Sequence, residues 1–177
     1  MKLLKKILLV LLTLIALLLV IAVFLPSHYH VQRNITIRAK PEAIYPWISN
    51  LKKWPDWSAW TKEKDPTLTY AYEGAAEGTG AISKWDGKKT GSGMMTITES
   101  NPATGVKYDL SFEHGKYKSV GGIAFEAAGD GTLVTWVDDG ELGPNPVSRY
   151  FGLAMDHFIG PDFDLGLRNL KQKVESK

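Results

Sequence analysis

The sequence predicts an α+β fold: one transmembrane helix, then a curved seven-stranded antiparallel sheet wrapped around a long C-terminal helix. Three observations predict this fold class. The chain begins with a long apolar run, its middle alternates apolar and polar residues between turn-forming residues, and its C-terminal segment carries apolar residues at helical spacing.

The apolar run extends from Ile7 to Leu25, nineteen residues in which Thr13 is the only polar side chain. At ~1.5 Å per residue it spans about 28 Å, close to the ~30 Å hydrocarbon core of a bilayer. Three lysines precede it and the next full charge is Arg33, so the positive-inside bias places the N-terminus in the cytoplasm. A cleaved signal peptide is the alternative, but the run is longer than usual and no A-x-A site follows.

We therefore expect residues 1–25 to be a cytoplasmic stub and membrane anchor, with an extracytoplasmic (periplasmic or extracellular) domain behind it. Without the three N-terminal lysines, 18 basic residues face 19 acidic ones. This near balance argues against nucleic acid as a partner. The absence of cysteine fits a domain that does not rely on disulfides, but it fits a reducing compartment equally.

Residues 26–30 are predicted to be a tether and residues 31–177 the domain. His28 and His30 would share one face of a strand, but no cysteine or nearby carboxylate completes a metal set, so no metal site is predicted. The first strand is Val31–Arg38, in which apolar and polar residues largely alternate. A short helix should open at Pro41, since proline suits the first helical turn, and Asn50 should cap a second one.

Tryptophans recur at positions 54, 57 and 60, shortly after Trp47. Indole rings at this spacing fit a membrane-interface belt, the lip of a ligand pocket, or packing of a loop against the sheet. Packing is favoured for Trp47 and Trp54, and Trp60 is kept as a pocket candidate.

Six further strands are predicted from alternation and from turn-forming glycine, asparagine, aspartate and proline. Short turns between most of them imply antiparallel neighbours. The predicted strands are Leu68–Glu73, Gly80–Trp85, Gly93–Ser100, Val106–His114, Ser119–Ala127 and Thr132–Leu142.

The C-terminal helix is predicted from Pro146 to about Glu175, with a kink or restart at Gly160-Pro161. Its apolar stripe is Val147, Phe151, Ala154, Phe158, Phe163, Leu167, Leu170 and Val174. Seven strands at ~4.8 Å spacing make a sheet about 29 Å across, whereas a helix is only ~10–12 Å wide. The sheet must therefore curl around the helix, and an apolar cavity is the natural remainder.

The residues expected to line this cavity are large and mostly apolar. They are Trp60, Trp85, Met95, Tyr108, Phe112, Trp136, Met155 and His157. A filled core would carry the same pattern, so that alternative stays open. His157 is also the candidate acid or base, because imidazole titrates near neutral pH. Asp138, Asp139 and Glu141 are expected to form a solvated rim.

The chemistry-bearing motifs are few. The chain lacks a cysteine nucleophile, a G-x-S-x-G elbow, an H-E-x-x-H pair and a phosphate-binding loop. The pieces Gly78-Thr79-Gly80 and Gly91-Ser92-Gly93 are expected to serve sheet curvature, since no helix follows them. No cofactor is predicted, and no catalytic constellation is identified.

Several segments resemble the SRPBCC, or START-like, superfamily, and most of all its polyketide cyclase/dehydrase-type proteins. The resemblance covers about residues 29–175 and rests on AKPEAIYPWI (39–48), WPDWSAW (54–60), GTGA (78–81) with Trp85 and Gly87, GSG (91–93), TLVTW (132–136) and GPDF (160–163), then Gly166, Leu167 and Asn169 to Lys171. It implies a helix-grip fold and a lipid, sterol, polyketide or other apolar ligand. It does not imply an activity, because a shared fold does not transfer function.

Three functions are weighed. The first is a membrane-anchored binding protein for a lipid or other small hydrophobic molecule, held to the membrane by Ile7 to Leu25. The second is a cyclase, dehydratase or hydrolase that uses the same cavity, with His157 or a tyrosine as acid or base. The third is a non-catalytic envelope protein that contacts a protein partner through Trp54–Trp60. The first is preferred over the second, but the sequence does not decide whether the protein is an enzyme.

Overall fold

The computed structural model of the chain describes residues 2–176. Within this range, the helices are α1 (Lys2–Phe24), α2 (Pro41–Ile48), α3 (Pro146–Gly152) and α4 (Met155–Glu175), with short 3-10 helices at Leu51–Asp56 and Glu113–Gly115. The strands are β1 (His28–Ile37), β2 (Thr69–Gly74), β3 (Ala81–Gly87), β4 (Gly91–Asn101), β5 (Gly105–Phe112), β6 (Tyr117–Ala128) and β7 (Gly131–Glu141).

The seven strands form one sheet in the order β1-β7-β6-β5-β4-β3-β2, and every neighbouring pair is antiparallel. The predicted α+β helix-grip fold is therefore confirmed. β1 begins at His28, earlier than the predicted Val31, so the residues expected to form the tether partly belong to the sheet. There His30 Nδ1 lies 2.7 Å from Asp139 Oδ1, an atom of the residue paired with it across the ladder.

The second half of the predicted helical stripe covers the sheet as expected. Phe163, Leu167, Leu170 and Val174 are buried, and they share the core with inward residues of the sheet such as Val134. The first half of the stripe does not reach the sheet. Val147, Phe151 and Phe158 are exposed, so the prediction that they pack on the sheet is wrong.

The interruption of the C-terminal helix lies at Leu153–Ala154, between α3 and α4, and not at Gly160-Pro161. α4 continues through Pro161, and Arg33 binds carboxylates on both sides of it, Asp156 at 2.7 Å and Asp164 at 3.1 Å. Gly160 serves this contact, since a Cβ there would lie 1.9 Å from the Arg33 guanidinium. The glycine therefore makes room for an arginine and does not break the helix.

A candidate ligand cavity between the sheet and α4

A cavity of about 220 Å³ lies between the concave face of the sheet, the segment that carries the tryptophans, and α4. Six of the predicted residues line it: Trp60, Trp85, Met95, Tyr108, Phe112 and Trp136. Apolar residues that the sequence did not single out complete the walls, among them Leu68, Tyr70, Leu110, Ile159 and Phe163. The predicted mismatch between a wide sheet and a slender helix thus leaves a void in the structure.

Met155 and His157 are not among the lining residues, contrary to the expectation from sequence. His157 is exposed, and its ring lies 5.9 Å from that of Phe158. The helical repeat explains its position, because two residues along a helix turn a side chain by about 200°, and Ile159 already points into the cavity. Met155 lies one turn before Ile159 and is partly buried against the core.

Trp136 on β7 is the centre of the aromatic wall. Its ring stacks on Phe163 of α4 with centroids 4.1 Å apart, while Trp54, Trp57 and Trp60 meet it at 5.7, 5.2 and 6.0 Å. Trp54 and Trp57 are buried, so the predicted packing role holds for Trp54, and neither ring is available to a membrane interface. Trp60 both packs on Trp136 and lines the cavity.

The indole and phenol groups of this wall form hydrogen bonds within the wall itself. Trp136 Nε1 donates to the Tyr108 hydroxyl at 2.7 Å, and that hydroxyl points to the Val137 carbonyl at 3.5 Å. Burial raises the pKa of Tyr108 well above its ordinary value. Tyr108 is therefore neutral at physiological pH, and this part of the wall is rigid and uncharged.

Asp138 is a lining residue that sequence reasoning placed wrongly. It is buried, whereas Asp139 and Glu141 are exposed as expected for a solvated rim. Its two carboxyl oxygens accept hydrogen bonds of 2.9 Å from Tyr29 and Ser119. The available signal was alternation on β7, since Asp138 continues the inward series of Val134 and Trp136.

The environment of Asp138 changes its chemistry. Burial raises the pKa of its carboxyl, and the hydrogen bonds from Tyr29 and Ser119 counteract only part of that effect. Burial and the nearby carboxylate also raise the pKa of Tyr29, so the phenol keeps its proton and donates. An aspartate so placed can exchange a hydrogen bond or a proton with a polar group in the cavity.

Part of the cavity wall lies at the end of the sheet from which α1 departs. Half-buried lining residues Tyr70, Trp85 and Phe112 fall in one row, because Tyr70 pairs with Trp85, Trp85 with Gly93, and Gly93 with Phe112. Phe112 pairs in turn with Tyr117 at the start of β6. At this end of the sheet the Leu142 amide, just beyond β7, donates to the carbonyl of Ser27, three residues after the end of α1.

Metal binding has no support in the described part of the chain, where no group of three or more His, Asp and Glu side chains is close enough to hold an ion. The polar lining includes Ser58, Ser83, Thr90 and Asp162, and Asp162 is paired with Lys64 at 2.5 Å. The site therefore combines aromatic walls with a few hydroxyls and two carboxyls.

Solved structures share this architecture. Protein CV1439 from Chromobacterium violaceum matches with a TM-score of 0.56 at 16% identity, over 82% of this chain and 96% of its own. The di-domain ARO/CYC StfQ from the steffimycin biosynthetic pathway matches with a TM-score of 0.64 at 10% identity, over 85% of this chain and 51% of its own. Ara h 8.0201 matches with a TM-score of 0.55 at 14% identity, over 85% of this chain and 99% of its own.

At these identities the structural matches show the fold alone. No curated protein sequence matches the chain. A family model does, however: polyketide cyclase / dehydrase and lipid transport aligns with residues 28–175, which include the whole sheet, the cavity and α4. The chain thus belongs to the polyketide cyclase / dehydrase and lipid transport family.

Proposed function

We propose that the chain is a membrane-anchored protein that binds a small hydrophobic molecule in the cavity between the sheet and α4. The observation that carries the proposal is the cavity itself, about 220 Å³ with predominantly aromatic and aliphatic walls. Folding normally fills such a space, because each missing contact lowers stability. A void of this size within a ring of tryptophans is better suited to a ligand than to packing.

The volume limits the ligand. A dry protein cavity of ~150 Å³ holds benzene, so by proportion 220 Å³ holds about nine non-hydrogen atoms. The ligand is therefore a compact aromatic or short aliphatic compound, or the end of a longer lipid whose remainder leaves through the mouth. Asp138 favours a ligand with a hydroxyl or another hydrogen-bonding group on its buried end, because it is a polar lining residue within hydrophobic walls.

The second part of the proposal is that α1 anchors the protein in a membrane. In the described chain, α1 is the helix that is long and apolar enough to span a bilayer, and its side chains are almost all exposed. A signal sequence meets the same description, and we propose the retained anchor, with the domain outside the cytoplasm. The half-buried cavity residues lie at the sheet end next to α1, so a ligand dissolved in the bilayer has a short path to the site.

A second function, acid–base catalysis on the bound molecule, is favoured by one observation. Asp138 combines a raised pKa with access to the cavity, and such a carboxyl suits proton transfer. The candidate acid moves from His157, which lies outside the cavity, to Asp138. An Asp138→Asn variant that binds the native ligand but no longer converts it would establish the enzyme. Unchanged conversion by that variant would remove this candidate.

The proposed function is tested by native mass spectrometry of the full chain extracted from membranes in mild detergent. We expect a non-covalent adduct of a small hydrophobic molecule and a protein mass that includes residues 1–25. The comparison variant is Ser83→Phe, which occupies most of the cavity and should lack the adduct. An adduct retained by that variant would place the ligand elsewhere. A protein mass without residues 1–25 would contradict the anchor.

A further inference from the structure

The surface of α3 and its junction with α4 is unusually apolar. Val147, Phe151, Leu153 and Phe158 lie within twelve residues of one another and are 46%, 63%, 63% and 61% exposed. Single exposed apolar residues are ordinary, but four within twelve residues, two of them phenylalanine, indicate an interaction site. The sequence predicted that Val147, Phe151 and Phe158 pack on the sheet, yet all three are exposed.

Contacts with α1 determine where this surface lies. The Tyr150 hydroxyl donates to the Leu18 carbonyl at 2.6 Å. Arg149 Nη1 donates to the carbonyls of Ala22, Val23 and Leu25 at 2.5–3.4 Å, and so satisfies acceptors that the end of a helix leaves free. Both residues belong to α3, so α3 is fixed against the last turns of the apolar helix.

The depth of α3 in the membrane follows from the rise per residue of α1. Leu18 precedes Phe24, the last residue of α1, by about 9 Å at ~1.5 Å per residue. If α1 spans the bilayer as proposed, α3 lies alongside the final turns of the span and not beyond them. The exposed side chains of α3 then lie at the boundary between the acyl chains and the headgroups.

We propose that α3 and the first turn of α4 form an interfacial membrane-docking surface, comprising Val147, Phe151, Leu153 and Phe158, that inserts into the outer face of the bilayer beside α1. This inference rests on the anchoring in the proposed function and adds a second contact with lipid. Apolar area drives the insertion. The Arg149 guanidinium is used by the end of α1, and Asp156 is paired with Arg33, so the surface carries no basic cluster that would favour anionic lipid.

Docking would fix the orientation of the domain. Ile159, which lines the cavity, follows Phe158 of the docking surface directly. A single transmembrane tether permits the domain to rotate and tilt, whereas two contacts hold the cavity mouth at the membrane surface. The docking surface therefore supplies a route by which a hydrophobic ligand enters the cavity without crossing water.

The chain contains no cysteine, so a single introduced cysteine can carry a nitroxide spin label without a background. The full chain is placed in zwitterionic phosphatidylcholine nanodiscs, and label depth is measured from its accessibility to oxygen and to a nickel chelate. The test site is Leu153→Cys, with Phe151→Cys as a second site. Leu165→Cys is the matched control, an exposed leucine farther along α4. Leu12→Cys reports the anchor.

We expect labels at 153 and 151 to lie about 5–10 Å below the phosphates, the label at 165 to be in water, and the label at 12 to be near the bilayer centre. Equal depths in discs with added phosphatidylglycerol support insertion by apolar area. Labels at 151 and 153 in water with 12 in lipid would overturn docking and leave the anchor intact. A label at 12 outside lipid would overturn both. Spin–spin broadening at 153, with no lipid contact, would assign the surface to a second copy.

Discussion

Ser83→Phe tests whether the cavity, and not another surface, binds the ligand. Ser83 is buried on the inward face of β3 and lines the cavity, so its replacement aims an aromatic ring into the void. A benzene-sized group occupies about 150 Å³, which leaves roughly 70 of the 220 Å³. By the same proportion the remainder holds about three non-hydrogen atoms, against about nine in the native protein.

The loss of affinity follows from the atoms that no longer fit. About six atoms excluded at ~0.8 kcal/mol each weaken binding by about 5 kcal/mol, which is more than a thousandfold at ~1.4 kcal/mol per tenfold. The assay is titration of the full chain in nanodiscs with 4-bromophenol, whose bromine quenches the tryptophans that line the cavity. Quenching is expected to saturate in the native protein and to be linear and weak in Ser83→Phe.

Ala71→Phe is the matched control, because Ala71 is exposed on β2 and pairs with Lys84, the residue after Ser83. It adds the same ring outside the cavity and should bind the probe as the native chain does. Urea denaturation should place Ser83→Phe within about 3 kcal/mol of the native free energy of unfolding. A folded Ser83→Phe protein that binds the probe with native affinity would refute the assignment of the cavity as the binding site.

Three further predictions concern stability. The raised pKa of Asp138 means that its carboxyl binds the proton more tightly in the folded state than in the unfolded state. The free energy of unfolding should therefore fall as pH rises above 3.8, the ordinary pKa of an aspartate. In urea melts, Asp138→Asn should remove this pH dependence, and an unchanged pH dependence would contradict the prediction. For Asp65 the pKa shift is in the opposite direction, because hydrogen bonds from Thr67, Lys89 and Thr90 lower the pKa of its carboxyl. The stability that Asp65 contributes should therefore be lost as pH falls below 3.8. Urea melts of Asp65→Asn that remain as acid-sensitive as those of the native protein would count against this. Trp136→Phe removes the indole N–H that donates to the buried Tyr108 hydroxyl at 2.7 Å. It should lower the free energy of unfolding by about 1–3 kcal/mol. An unchanged free energy of unfolding would show that this hydrogen bond contributes nothing to stability.

Local periodicity was sufficient to predict much of the fold. Val106, Tyr108, Leu110 and Phe112 alternate with polar residues, and β5 runs Gly105–Phe112 with these side chains inward. The stripe from Phe163 to Val174 likewise predicted the buried face of α4. In both cases the period of the element alone decides which residues share a face.

The errors arose where a residue's environment depends on distant partners. Alternation on β7 indicates that Asp138 faces inward, but β1 and β6 bring Tyr29 and Ser119 to its carboxyl, and no local pattern shows those partners. Pro161 lies inside α4, where Arg33, more than a hundred residues away, binds carboxylates on both sides of it. Val147 and Phe151 have the spacing of a core-facing stripe, but that spacing is the same whether the face covers a sheet or a bilayer.

The claim that the cavity holds a hydrophobic ligand is tested most directly by methyl NMR of the full chain, labelled with 13C at the methionine methyl groups, in nanodiscs. Met95 lines the cavity, its neighbour Met94 points to the opposite face of β4, and Met155 is not a lining residue, so the protein contains its own controls. Titration with 4-bromophenol should shift the Met95 methyl resonance saturably and leave Met94 and Met155 in place. A Met95 resonance that stays fixed at saturating probe, or shifts no more than Met94, would contradict the account.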